Sequence, residues 1–203
     1  MTAATVSASA ATLAFARRLS VLAVALLRSN QDAVRHVANA FNPTWFDALP
    51  LPTAGAPTVT LIDGARFQRV PARDPTAHAG PRTRSYENLH LHVGWIRLAS
   101  NCLEHAVGRR VACAAYCSGA GDASLGPHYD DWDGVIVQMR GEKEWRVWRD
   151  PESGPDRIVT QPGDVLILRR GVVHDVSTPE SSLHLAFAVT HHRCPTMTPT
   201  PAG

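Results

Sequence analysis

The sequence predicts a mainly β fold, a sandwich or jelly roll, with helices packed on it from the N-terminal side. After Arg110, seven short β-rich segments follow one another, each closed by turn chemistry. Before them, residues 9–41 are rich in Ala and Leu and contain neither Pro nor Gly. The length of 203 residues with 44% apolar content suffices for one substantial core and falls short of two ordinary domains.

Apolar positions recur at Leu19, Leu22 and Leu26 and again at Val34, Val37 and Phe41, so residues 9–41 are expected to form one or two amphipathic helices. From Asn42 to Pro81 prolines and glycines interrupt the chain, leaving loop with an edge strand at Val59–Ile62, the texture of a flap over a pocket. The spacing over Leu98–Val107 predicts a helix stopped by Gly108. Strands are expected at Val111–Ser118, Gly134–Arg140, Glu144–Trp148, Arg157–Thr160, Val165–Leu168, Val172–Ser177 and Leu183–Thr190. The Pro- and Thr-rich tail from Cys194 reads as disordered. The chain thus divides into an N-terminal helical and loop region (1–85) serving as support or lid, a β core (86–193) and a tail (194–203).

Charge excludes several partners. Twenty basic against eighteen acidic residues leave a net charge of +2 with no basic cluster, which argues against nucleic acid or a polybasic membrane surface. The longest apolar run, Leu19–Leu27, is bracketed by Arg17, Arg18 and Arg28 and is shorter than the roughly 20 residues of a membrane span. A double Arg before an apolar stretch has the look of an export signal, but the run is read as a helix packed on a core. The four cysteines make no CxxC pair and are expected to be idle thiols in a reducing, cytoplasmic compartment.

The chemistry-bearing residues lie in the β-rich half. In GPHYDDWDG, His128 and Asp130 are two apart, which on a strand puts both on one face with Cα atoms roughly 6.5 Å apart. Alone, such a pair among ten His and twelve Asp carries little information. A third candidate, His174 in GDVLILRRGVVHDV, follows a tight turn and can be brought against an earlier strand of the same roll. Two imidazoles and one carboxylate on one face of an octahedral ion leave three adjacent positions open, the arrangement used by non-haem Fe(II) oxygenases. Lys143 is the only lysine; the other nineteen basic side chains are arginine, so this position calls for a compact ammonium. A dianionic 2-oxo acid held at a metal by one end needs such a cation at its distal carboxylate.

GPHYDDWDGVIVQMRGEKEWRVW, followed by PGDVLILRRGVVHDV and SLHLAFAV, resembles the JmjC-type cupin oxygenases, which include ribosomal-protein hydroxylases and factor-inhibiting-HIF-like hydroxylases. The resemblance extends more weakly through AAYCSGA and YENLHLHVGWIRLASNCLEHAVG and covers roughly residues 86–190. It implies a double-stranded β-helix, Fe(II) bound by His128, Asp130 and His174, 2-oxoglutarate anchored by Lys143, and Tyr116 and Ser118 beside the co-substrate. Ala114 stands where the family often has Asn, and Arg169 where it usually has Pro. The implied reaction is hydroxylation, desaturation or cyclisation at an unactivated C–H with O₂ and 2-oxoglutarate as co-substrates. An amino acid, a peptide or another specialised metabolite is the expected substrate, with protein side-chain hydroxylation as the alternative. A non-catalytic ligand-binding cupin, or a zinc or manganese cupin working as isomerase or hydrolase, are the rival classes.

Other residues carry smaller expectations. Asp131, Asp133 and Asp175 read as exposed turn carboxylates beside the ligands, His184 as a core histidine, Trp132 as facing substrate and Trp145 as core. Trp45, Phe46, Tyr86, Arg82 and Arg84 are candidates for a lid. His90 and His92 alternate as on a strand, with no carboxylate at a spacing that would complete a second metal site.

Overall fold

The structure is a computed structural model that describes residues 7–28, 32–150 and 152–193. In chain order the elements are α1 (Ala8–Arg28), β1 (Val34–Val37), α2 (Thr44–Asp47), β2 (Thr58–Asp63), β3 (Arg66–Pro71), β4 (Thr83–Tyr86), α3 (Leu89–His92), α4 (Gly94–Val107), β5 (Arg109–Ser118) and β6 (Asp133–Arg140). The remaining strands are β7 (Lys143–Trp148), β8 (Asp156–Thr160), β9 (Val165–Leu168), β10 (Val173–Ser177) and β11 (Ser182–Arg193). Eight strands form an antiparallel sheet in the order β1-β9-β6-β11-β5-β4-β2-β3, and β10-β7-β8 form a second sheet facing it. Seven-strand expectation and structure agree to within a few residues at each strand of the β-rich half.

Alternation along the strands sorts side chains into two layers. Val111, Cys113 and Ala115 of β5, Val135 and Val137 of β6, and Leu185, Phe187 and Val189 of β11 point to the outer face of the large sheet, where α1 and α4 cover them. Helix α1 buries Phe15, Leu19, Ala23 and Leu27 at four-residue spacing. Phe15 is the hub, with ring centroids 5.0 Å from Phe41, 5.5 Å from Trp95 of α4 and 6.4 Å from Phe187 of β11. On the inner face, Ile136, Leu166 and Leu168 meet Trp145 and Val147 of the small sheet. The same face also carries the cavity described below.

Several expectations change. Val34 and Val37 lie on strand β1, not on a second helix, because Val34–Val37 pairs antiparallel with Val165–Leu168 at the sheet edge. Helix α1 has 21 residues, longer than the apolar run that the sequence marks, and by length and composition it is apolar enough to cross a membrane; its Phe15 face is nevertheless packed in the core. The stretch 42–81 yields the hairpin β2-β3, which with β1 and β4 extends the same sheet as the β core, so the region 1–85 contributes strands as well as helix and loop. His90 and His92 sit on the short helix α3, and His90 Nδ1 accepts a hydrogen bond from the Cys113 backbone N–H. Helix α4 ends as expected, with Gly108 at φ 69. The tail from Cys194 lies outside the described residues.

Two aspartates tie the turns. Asp164 Oδ1 accepts from the Asn39 N–H, while its Oδ2 accepts from Gln161 N–H and meets His36 Nε2 at 2.9 Å. Asp133, read as an exposed turn residue, is instead buried: it accepts from Arg109 at 2.9 Å and from the Arg170 N–H at 3.0 Å. These contacts hold its carboxyl below the usual range.

Candidate metal centre

His128 and His174 face each other across two backbone hydrogen bonds, His128 N–H to the His174 carbonyl at 2.9 Å and His174 N–H to the His128 carbonyl at 2.8 Å. This narrow antiparallel pair sets both side chains on one side of the ladder, with ring centroids 4.3 Å apart. Asp130, two residues on, joins them; its carbonyl accepts from Gly171 N–H at 2.9 Å, which fixes the segment against the turn into β10. One ligand atom from each of His128, Asp130 and His174 lies within 4.8 Å of the others, the only such group of three among the described residues.

The tautomers follow from the partners. His128 Nδ1 lies 2.8 Å from the Gly126 carbonyl and His174 Nδ1 lies 3.0 Å from the Val172 carbonyl. A carbonyl only accepts, so each Nδ1 carries the proton and each Nε2 lone pair is left toward the cluster. Burial pushes the Asp130 carboxyl up and the His174 imidazole down from their ordinary values. Two neutral nitrogens and one carboxylate oxygen converging on one point, with one side open to a cavity, fit a divalent first-row ion such as Fe(II).

The triad opens into a cavity of about 520 Å³ between the two sheets, lined also by Tyr116, Lys143, Trp132 and His184. Lys143 is 3% exposed, and its Nζ donates to Ser118 Oγ and to Thr178 Oγ1, each at 2.7 Å. Ser118 Oγ lies 3.0 Å from Thr83 Oγ1 in turn. Burial pulls the Lys143 ammonium down to about 8. Tyr116 stacks on His184 at 5.0 Å and is hydrogen-bonded to Ser85; burial raises its phenol above the ordinary value. His184 is buried and held neutral, first by desolvation and second by the Lys143 charge, and its Nδ1 has no hydrogen-bond partner among the described residues.

The structure therefore brings the sequence-predicted residues His128, Asp130, His174, Lys143, Tyr116 and Ser118 to one place. Trp132 lines the cavity, and Trp145 does so while its Nε1 donates to Thr160 Oγ1. Asp175 is buried and paired with Arg146, whereas Asp131 is exposed on Arg170. The lid candidates do not line the cavity: Phe46 is in the core, Trp45 packs against it, Tyr86 is buried, and Arg84 donates to the carbonyls of Ala77, Arg82 and Gly80. Glu87 and Asn88 line it instead. Thr178 escaped the sequence reading because a Thr in a β-turn region carries no local signal; only the fold sets it on the amine.

Comparisons with known proteins agree with this geometry. A family profile described as the JmjC domain matches residues 95–158. Ribosomal oxygenase 2 of Bos taurus is 35% identical over 97 residues, which cover 40% of this chain and 21% of that protein. The bifunctional lysine-specific demethylase and histidyl-hydroxylase NO66 of Aedes aegypti is 29% identical over 100 residues, 39% of this chain and 16% of that protein. Escherichia coli YcfD, a ribosomal oxygenase solved in complex with cobalt and 2-oxoglutarate, superposes with a TM-score of 0.60 at 18% identity over 85% of this chain and 51% of its own. The chain thus matches about a fifth of the length of its curated relatives and half of YcfD. Over residues 95–158 the chain is thus similar to the JmjC domain, and its fold is shared with YcfD.

Proposed function

We propose that the protein is an Fe(II)- and 2-oxoglutarate-dependent dioxygenase that hydroxylates an unactivated C–H. The observation that carries this reading is the shared cavity: a two-His, one-carboxylate cluster and the only lysine of the chain line the same space. A binder without chemistry has no use for a buried ammonium beside a metal site, because burying that charge is costly unless an anion meets it. His128, Asp130 and His174 would hold the iron, and Lys143, with Ser118 and Tyr116 beside it, the distal carboxylate of 2-oxoglutarate. Iron with 2-oxoglutarate and O₂ supplies the oxidising power, the co-substrate leaving as succinate and CO₂ while one oxygen atom enters the substrate.

The protein's own groups orient and exclude. The carbonyls of Gly126 and Val172 keep both ligand imidazoles in the tautomer that offers Nε2. Ser118 and Thr178 aim the Lys143 ammonium, and Trp145, closed off by its bond to Thr160, walls the space from the small sheet. The substrate is read as an amino acid, peptide or other metabolite; the names of the relatives, ribosomal oxygenase and histidyl-hydroxylase, favour a protein side chain as the second reading.

Anaerobic addition of Fe(II) and 2-oxoglutarate is expected to produce the weak visible charge-transfer band of a chelated 2-oxo acid, and aerobic incubation to release succinate. Failure of the wild-type protein to bind either component in calorimetry would refute the oxygenase reading. Tight zinc or manganese after anaerobic purification, with no succinate formed on iron, would favour a hydrolytic or isomerising cupin.

A further inference from the structure

The cavity is chemically lopsided. Its polar side chains stand at Lys143, the triad and a rim with Glu87, Asn88 and Ser124, while the floor that β5, β6 and β11 contribute between His184 and Thr190 is all carbon. Across β6, β11 and β5, Gly134, Ala188 and Ala112 stand in register as one row, and Ile136, Ala186 and Ala114 as the next. All six line the cavity. Strand β11 therefore presents His184, Ala186, Ala188 and Thr190 to it in succession.

The ends of that series are polar and unsatisfied. His184, 5% exposed, has an unpartnered Nδ1, and the Thr190 Oγ1 is likewise buried without a partner among the described residues. A buried polar atom is rarely left so unless a ligand supplies the bond. His184 stands at the Tyr116 and Lys143 end, so Thr190, six residues and roughly 20 Å further along the strand, lies at the opposite end of this floor. Between them nothing on the floor donates or accepts. The carboxylate that lines the cavity away from the triad, Glu87, is already held by Thr60 at 2.9 Å and Arg69 at 3.6 Å.

We infer that the group this enzyme presents to its metal is an uncharged aliphatic or aromatic one, seated on the methyls of Ala112, Ala114, Ala186 and Ala188, with a polar group of the substrate bonded to Thr190. This rests on the oxygenase reading above for the word substrate. Imidazole, amide or guanidinium groups would lose their water on this floor without a replacement partner, a penalty that hydrophobic groups escape. The small side chains leave the room; their chemistry selects what fills it.

The probes are N-acetyl-L-leucine amide, its near isostere N-acetyl-L-asparagine amide, N-acetyl-L-phenylalanine amide and N-acetyl-L-histidine amide. Each is titrated calorimetrically into anaerobic protein carrying Fe(II) and 2-oxoglutarate, with the visible band recorded alongside. The leucine or phenylalanine amide is expected to bind at least tenfold more tightly than the asparagine and histidine amides. Ala188→Leu, which fills the floor, should lower that affinity at least tenfold, and Thr190→Val, which removes only the hydroxyl, several-fold. Equal or tighter binding of the polar probes, no binding of the apolar ones at millimolar concentration, or indifference to both substitutions in protein that still shows the band would overturn the inference and leave the oxygenase reading intact. Absence of the band in wild-type protein would instead remove the reading on which it rests.

Discussion

Lys143 carries its charge where the fold makes charge expensive. Burial lowers its ammonium from an ordinary 10.5 to about 8, so between these values the folded, ligand-free chain binds fewer protons than the unfolded one. Stability of the ligand-free protein therefore rises with pH from 8 to 10.5, and the penalty, roughly 3 kcal/mol at about 1.4 kcal/mol per pH unit, is fully present below 8. Lys143→Met is expected to stabilise the ligand-free protein at pH 7 by about 1 kcal/mol or more after the hydrogen bonds to Ser118 and Thr178 are lost, as urea denaturation would show. A clear destabilisation at pH 7 would mean that the amine is at ease where it sits. Co-substrate affinity runs the other way: only the ammonium attracts a carboxylate, so binding should weaken up to tenfold per pH unit above about 8, measurable by calorimetry between pH 7 and 9.5. Lys143→Ala should cost roughly 2–5 kcal/mol of 2-oxoglutarate binding with metal binding kept, and Lys143→Arg should be intermediate. At the triad, His128→Ala or His174→Ala is expected to abolish the charge-transfer band. Asp130→Ala should lower turnover by orders of magnitude even if iron still binds through the imidazoles. Hydroxylation near the wild-type rate in Asp130→Ala would take that residue out of the site.

The strands position these groups through turns that tolerate few side chains. Gly141 joins β6 to β7 at φ 59, and a Cβ there would stand 1.9 Å from the Ser181 carbonyl oxygen, so the turn that delivers Lys143 is packed against the entry to β11. A Cβ on Gly163, at φ 97, would likewise collide with the Phe41 carbonyl oxygen. The carboxylate of Asp133 opens β6 three residues after Asp130 and gathers Arg109, Arg169 and the Arg170 N–H. Asp133→Ala leaves those guanidiniums half-buried without it and is expected to cost roughly 3 kcal/mol of stability, read as a shifted urea midpoint with an unchanged slope. A change within 0.5 kcal/mol would show Asp133 to be the surface carboxylate that its sequence context implies. That context misled for a physical reason: in YDDWDG Asp131 and Asp133 look equally solvated, and only the two arginines brought from α4's end and from β9's exit single out Asp133.

At the scale of the whole molecule, helix α1 closes the outer face of the sheet whose inner face bears the site. Phe15 touches Phe41, Trp95 and Phe187, three residues distant from it in sequence, so Phe15→Ala should lose roughly 3–5 kcal/mol in denaturant unfolding. A loss below about 1 kcal/mol would place α1 outside the cooperative unit. Local chemistry on its own determined much of this protein. Short β-rich segments closed by turn residues marked the seven strands after Arg110, and the spacing of His128 and Asp130, the Gly-Asp turn before β9 and the solitary lysine marked the site. These are short-range properties, carried by neighbours a few residues apart. Tertiary structure alone decided that Val34–Val37 is a strand, since four residues adopt whichever state completes a neighbouring ladder. It also decided that Phe46 and Tyr86 serve the core and leave the cavity rim to Glu87 and Asn88, and that Thr178 meets Lys143 from 35 residues away. Apolar and hydroxyl side chains carry no mark of their partner; only closure of the two sheets sets which face each one meets and which cavity it lines.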